Sequence, residues 1–199
     1  MLKIAALVSG GGTNLQAVID AIESGQLKNV EIAAVASTNH RAYALERAKK
    51  HGIPAAVFAK KDFDCADARE EALVAFFQQH GVQFVVLCGS LMVLGKKMIN
   101  TFENRIINIH PALLPDFGGK GYYGLAVHEA VLAAGMATTG ATVHFVDEGI
   151  DTGKIILQKE VAVLPNDTPE MLQRRVMEEA EWQILPQAIG ILAERGLGL

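Results

Sequence analysis

Five short apolar runs punctuate the first half of the chain: Ile4–Val8, Val30–Ala36, Ala55–Phe58, Phe84–Leu87 and Ile106–Ile109. Most are apolar throughout rather than alternating, so both of their faces need cover. Between them lie longer stretches with helical spacing. Leu15, Val18, Ile19 and Ile22 fall at i, i+3, i+4 and i+7, predicting a helix with one apolar stripe, and further helices are predicted over residues 42–51 and 66–80. Strand lengths alternating with helix lengths indicate a parallel sheet sandwiched between helices.

Past Pro115 the pattern changes. Gly118-Gly119-Lys120-Gly121 leads to Tyr122-Tyr123 and a predicted helix ending near Gly135. Two strand-like runs follow, Thr139–Val146 and Lys154–Val163, joined by a Gly-rich segment of a length suited to overhang a site. Asp167 with Glu170 reads as a capping box, Pro169 suits a first helical turn, and the last helix is predicted to run to about Glu194. The expected class is therefore α/β: a Rossmann-like, mostly parallel sheet with helices on both faces and C-terminal strands that can include an antiparallel one. No repeat or linker interrupts it, so one domain over residues 1–199 is expected.

Half of the 199 residues are hydrophobic, enough for a sizeable core. A net charge of -4 argues against a nucleic-acid surface. Lys49-Lys50-His51 and Lys60-Lys61 read as solvated surface. Cys65 and Cys88 are too few for a disulfide framework or zinc site and fit a reducing cytoplasm. The apolar run after Met1-Leu2-Lys3 is too short for a signal peptide, and no stretch is long enough to cross a membrane.

Candidate chemistry concentrates in two places. Ser9-Gly10-Gly11-Gly12-Thr13-Asn14 lies between the first strand and first helix, where successive backbone N–H groups and the helix N-terminus can hold an anion. The plainer alternative is a tight turn in which Thr13 or Asn14 caps the helix. A dinucleotide is not expected: Leu15 stands where the third glycine of G-x-G-x-x-G belongs, and the second strand ends in Ser37-Thr38-Asn39 without an acid. The second place is Asn108-Ile109-His110-Pro111. Residues i and i+2 of an extended chain point to one side, so an amide donor and an imidazole can reach one reacting centre, a pairing suited to acyl-type transfer. Of the remaining histidines, His40, His51 and His80 read as surface residues at element ends, His128 fits either a packed or an exposed helix position, and His144 lies in a strand near the site.

Three motifs in order, Ser9–Ala17, Asn108–Pro115, and His144-Phe145-Val146 followed by Asp151-Thr152-Gly153, resemble the glycinamide ribonucleotide formyltransferases. The resemblance spans essentially the whole chain and implies a single formyltransferase domain. It implies transfer of a formyl group from 10-formyltetrahydrofolate, the co-substrate, to glycinamide ribonucleotide, without a metal. By it Asn108, His110 and Asp151 are catalytic, with Asp151 raising the His110 pKa. Gly11, Gly12, Thr13, Asn14 and Glu181 bind the ribonucleotide. Leu91, Met92, Val93, Leu94, Asn108 and the loop Val146, Asp147, Glu148, Gly149, Ile150 line the folate pocket. The implied partners are these small molecules, with no nucleic acid or membrane, and the chain is a cytoplasmic monomer or homodimer. Two departures stand out: Met92 and Ala66 occupy positions where family members often carry arginine, Arg69 being offered nearby. Two other readings remain open: a related transferase or formate-releasing hydrolase on the same folate, and a non-catalytic phosphate-binding module.

Overall fold

In a computed structural model that describes residues 1–195, the first strand, β1 (Leu2–Val8), sends Ile4, Ala6 and Val8 into one hydrophobic cluster and Ala5 and Leu7 into another. Strand alternation with apolar residues at every position produces this two-sided burial. The remaining strands are β2 (Val30–Ser37), β3 (Ala55–Val57), β4 (Phe84–Leu87), β5 (Ile106–His110), β6 (Thr138–Phe145) and β7 (Ile155–Ala162). They form one sheet in the order β3-β2-β1-β4-β5-β6-β7, parallel from β3 to β5 and antiparallel from β5 to β7.

The helices are α1 (Thr13–Glu23), α2 (Ala44–Lys50), α3 (Ala66–Gln79), α4 (Lys96–Thr101), α5 (Leu125–Ala133), α6 (Pro169–Val176) and α7 (Trp182–Arg195). Leu15, Val18 and Ile19 of α1 pack with Leu185 and Ile189 of α7 in the first cluster, and Leu73 and Phe77 of α3 join Met98 of α4 in the second. The chain winds outward from β1 to β3, then returns to place β4 on the other side of β1. Such a reversal opens a crevice at the C-terminal ends of the two strands, where open α/β sheets place their ligands.

The strand expectations hold to within a residue or two. Three details differ. Helix α4 has six residues and one fully buried side chain, Met98, too little for a periodic signal; its amino end is fastened by the Gly95 N–H donating to the Glu70 carboxylate. The capping box at Asp167 is not formed: Thr168 is the cap, accepting from Met171 N–H at 3.3 Å, while Asp167 pairs with Arg175. A bidentate arginine competes better for a carboxylate than one backbone amide does. Finally, the single long C-terminal helix is interrupted by a π turn, Met177–Glu181.

Candidate active site

Asn108 and His110 leave β5 on the same side, as their spacing requires, at the edge of a cavity of about 870 Å³. His110 is almost fully buried, and its Nε2 lies 2.8 Å from the Phe117 carbonyl. Only a protonated nitrogen can make that bond, so Nε2 carries a proton and Nδ1 is the nitrogen left to face the site. Asp151, on the loop between β6 and β7, puts Oδ2 3.5 Å from that Nδ1 and Oδ1 3.4 Å from Asn108 Nδ2. The Asp151 backbone sits at φ 58, a left-handed conformation aspartate tolerates better than most residues. Its carboxylate also accepts from Gly119 N–H at 3.0 Å.

A fourth group joins them through strand register. Asn108 pairs directly with His144 across the antiparallel β5–β6 ladder. The His144 Nδ1 donates to the Phe145 carbonyl at 2.8 Å, leaving Nε2 to accept from Asn108 Nδ2 at 3.2 Å. The Asn108 amide is thereby oriented with its carboxamide nitrogen toward Asp151 and His144.

At the other end of the cavity the glycine loop meets α1. Its cap residue is Gly12, left-handed at φ 72, and no side chain caps the helix. The capping alternative for Thr13 or Asn14 is therefore not what the loop does. Asn14 turns its Nδ2 to Glu181 Oε2 at 2.6 Å, both residues being buried, and leaves its Oδ1 without a protein partner. Glu181 ends the π turn, whose extra residue changes the helical phase.

These two ends, a cluster of amide, imidazole and carboxylate groups and an amide loop in one cavity, occur in a chain matched over residues 2–189 by the formyl transferase family. The chain belongs to that family. It is 41% identical over 199 residues to phosphoribosylglycinamide formyltransferase of Haemophilus influenzae, covering all of this chain and 91% of that one. The chloroplastic phosphoribosylglycinamide formyltransferase of Arabidopsis thaliana is 40% identical over 96% of this chain, which spans only 65% of that protein's length. The crystal structure of glycinamide ribonucleotide transformylase 1 from Symbiobacterium toebii superposes with a TM-score of 0.92, 41% identity, and coverage of 98% of this chain and 89% of the other.

The formyl transferase cavity is lined by every residue expected at the site: Asn108, His110 and Asp151; Gly11, Gly12, Thr13, Asn14 and Glu181; Leu91, Met92, Val93 and Leu94; and Val146, Asp147, Glu148, Gly149 and Ile150. Burial, the largest influence, lowers the His110 pKa, and His144 adds to it; the opposing pull of Asp151 and the Phe117 carbonyl does not restore it. Asp151 does raise this pKa, as expected, but the net shift is downward because desolvation of the imidazolium outweighs the carboxylate. For Asp151 burial is also the largest single influence and acts upward. The neighbouring His144, the Gly119 hydrogen bond and His110 together outweigh it, so its pKa is lowered and it stays ionised. Glu181 is the opposite case: burial raises its pKa despite the Asn14 hydrogen bond.

Several lining residues had no decisive sequence signal. His128 on α5 is fully buried in the cavity wall with neither ring nitrogen hydrogen-bonded, and burial with the nearby His110 pushes its pKa down to about 4. Gln173 and Met177 line the cavity from α6 and the π turn. Tyr122 and Tyr123 stand exposed at the rim, Tyr122 edge-on to Phe117.

Proposed function

We propose that this chain transfers the formyl group of 10-formyltetrahydrofolate to the amine of glycinamide ribonucleotide, giving formylglycinamide ribonucleotide and tetrahydrofolate in purine biosynthesis. One observation carries the reading: the Asp151 carboxylate lies within 3.5 Å of both His110 and His144, and 3.4 Å from Asn108, in a cavity that ends in a loop of backbone amides. Family membership supports it. The cavity volume suits two bound molecules of drug size or smaller.

Attack of the neutral amine on the formyl carbon forms the new C–N bond and moves an electron pair onto the formyl oxygen. Asn108 Nδ2 gives up its long contact with Asp151 and donates to that oxygen, a contact of the kind worth about 3–4 kcal/mol. His110 enters neutral, because burial holds its pKa down, and its free Nδ1 takes the proton from the attacking nitrogen. The imidazolium so formed lies between the oxyanion and Asp151, each favouring it. Cleavage of the bond to the folate nitrogen returns the electron pair, and His110 passes its proton there. Gly11, Gly12, Thr13 and Asn14 hold the ribonucleotide phosphate through backbone N–H groups, and Glu181 faces the glycinamide end. Leu91–Leu94 and Val146–Ile150 flank the folate ring. The chain acts as one domain, as a monomer or homodimer, and in the cytoplasm, where the two unpaired thiols Cys65 and Cys88 stay reduced.

The test is an absorbance assay with 10-formyl-dideazafolate and glycinamide ribonucleotide, with water as the control acceptor. Formyl transfer that requires the ribonucleotide is expected. Formate release independent of the ribonucleotide would make the chain a hydrolase instead.

A further inference from the structure

Three successive carbonyls of the glycine loop are tied down from behind. The Gly10 carbonyl accepts from Ala44 N–H at 3.2 Å, at the start of α2, and the Gly12 carbonyl accepts from Gln16 N–H at 2.9 Å. The middle one, Gly11, accepts from a side chain: Arg47 Nε at 2.9 Å. The same guanidinium donates through Nη1 to Gln16 Oε1 at 2.9 Å and lies 5.2 Å from the Tyr43 ring centroid. Gln16 Nε2 in turn lies 3.4 Å from His51, whose Nδ1 meets Glu23 at 2.6 Å. Arg47 is not among the residues lining the cavity.

In a trans peptide the C=O of one residue and the N–H of the next point in opposite directions. Pulling the carbonyls of Gly10, Gly11 and Gly12 toward α2 and α1 therefore aims the N–H groups of Gly11, Gly12 and Thr13 the other way, toward the cavity these residues line. None of those three donors has a backbone partner among the described residues. Arg47 does more than fix direction. It donates a charged hydrogen bond to the carbonyl of the very peptide unit that carries the Gly12 N–H, and so polarises that N–H as a donor. The helix-to-loop approach leaves no slack, since a Cβ on Gly12 would lie 2.6 Å from Ala44 Cβ.

We propose that Arg47 is a positioning residue for the phosphate of the ribonucleotide: it acts through the Gly11–Gly12 peptide, without touching the substrate, and sets the chain's preference for a phosphorylated acceptor. The inference rests on the functional reading above.

The experiment compares glycinamide ribonucleotide with its dephosphorylated riboside as acceptors for the parent chain, Arg47→Met and Arg47→Lys. In Arg47→Met the KM for the ribonucleotide should rise about tenfold, as expected for loss of a charge-assisted bond, with kcat changed less than about twofold. The KM for formyl folate and kcat/KM for the riboside should stay near the parent values. Arg47→Lys keeps an aliphatic stem and the charge but not the planar fork, so it should fall between the two. Equal loss on both acceptors would make Arg47 merely structural, and an unaltered preference for the ribonucleotide would also overturn the inference. If the parent chain formylates neither acceptor, the functional reading itself fails.

Discussion

Replacing Asp151 with asparagine tests the proposed chemistry with little disturbance of the fold. Asparagine tolerates the left-handed backbone at φ 58, and its amide oxygen can still accept from Gly119 N–H. What is lost is the charge 3.5 Å from His110 Nδ1. Unit charges at that separation attract by about 5 kcal/mol at an effective dielectric near 20, a ceiling that burial of both groups reduces. A net loss of about 3–4 kcal/mol at the transition state corresponds to a fall in kcat of about 10²–10³. The dideazafolate absorbance assay reads that fall, and calorimetric titration reads ribonucleotide binding, which should change little because the amide loop lies at the other end of the cavity. Turnover within about threefold of the parent would remove Asp151 from the mechanism. So would a loss of ribonucleotide affinity as large as the loss of kcat, since the charge would then be serving binding.

Thr13→Asp puts an anion among the loop amides and should raise the Kd for the ribonucleotide about tenfold or more, by calorimetry, while folate binding is unaffected; an unchanged Kd would mean the phosphate binds elsewhere. His128 should impose an acid limit on stability. Its folded pKa is about 4 against an ordinary value near 6.5, so the unfolded chain takes up the proton first, and stability is lost as pH falls through that window, by about 3 kcal/mol. His128→Leu should flatten that part of the urea-midpoint curve, and parallel curves for the two proteins would count against the assignment. Met92→Arg should tighten binding of a folate with a polyglutamate tail severalfold at low salt and less at high salt, measured against the monoglutamate; equal effects on both would show that the tail does not pass this loop.

The amino-acid sequence by itself determined the layered α/β architecture, because runs such as Phe84–Leu87 are apolar on both sides and can only be central strands. It also determined the pairing of Asn108 with His110, since side-chain direction in a strand follows from spacing alone. The family resemblance grouped distant residues such as Asp151 and His110, but residue pattern alone carried no signal for the contacts through which distant segments meet. That His144 lies opposite Asn108 is a matter of β5–β6 register, and antiparallel register is set by turns and packing far from both residues. The Asn14–Glu181 bond joins positions 167 residues apart and needs a π turn that no periodicity announces. The sign of the His110 shift could not be read either. A neighbouring carboxylate can be inferred from a motif, but desolvation depends on how completely the surrounding elements close over the ring, and only the folded chain sets that.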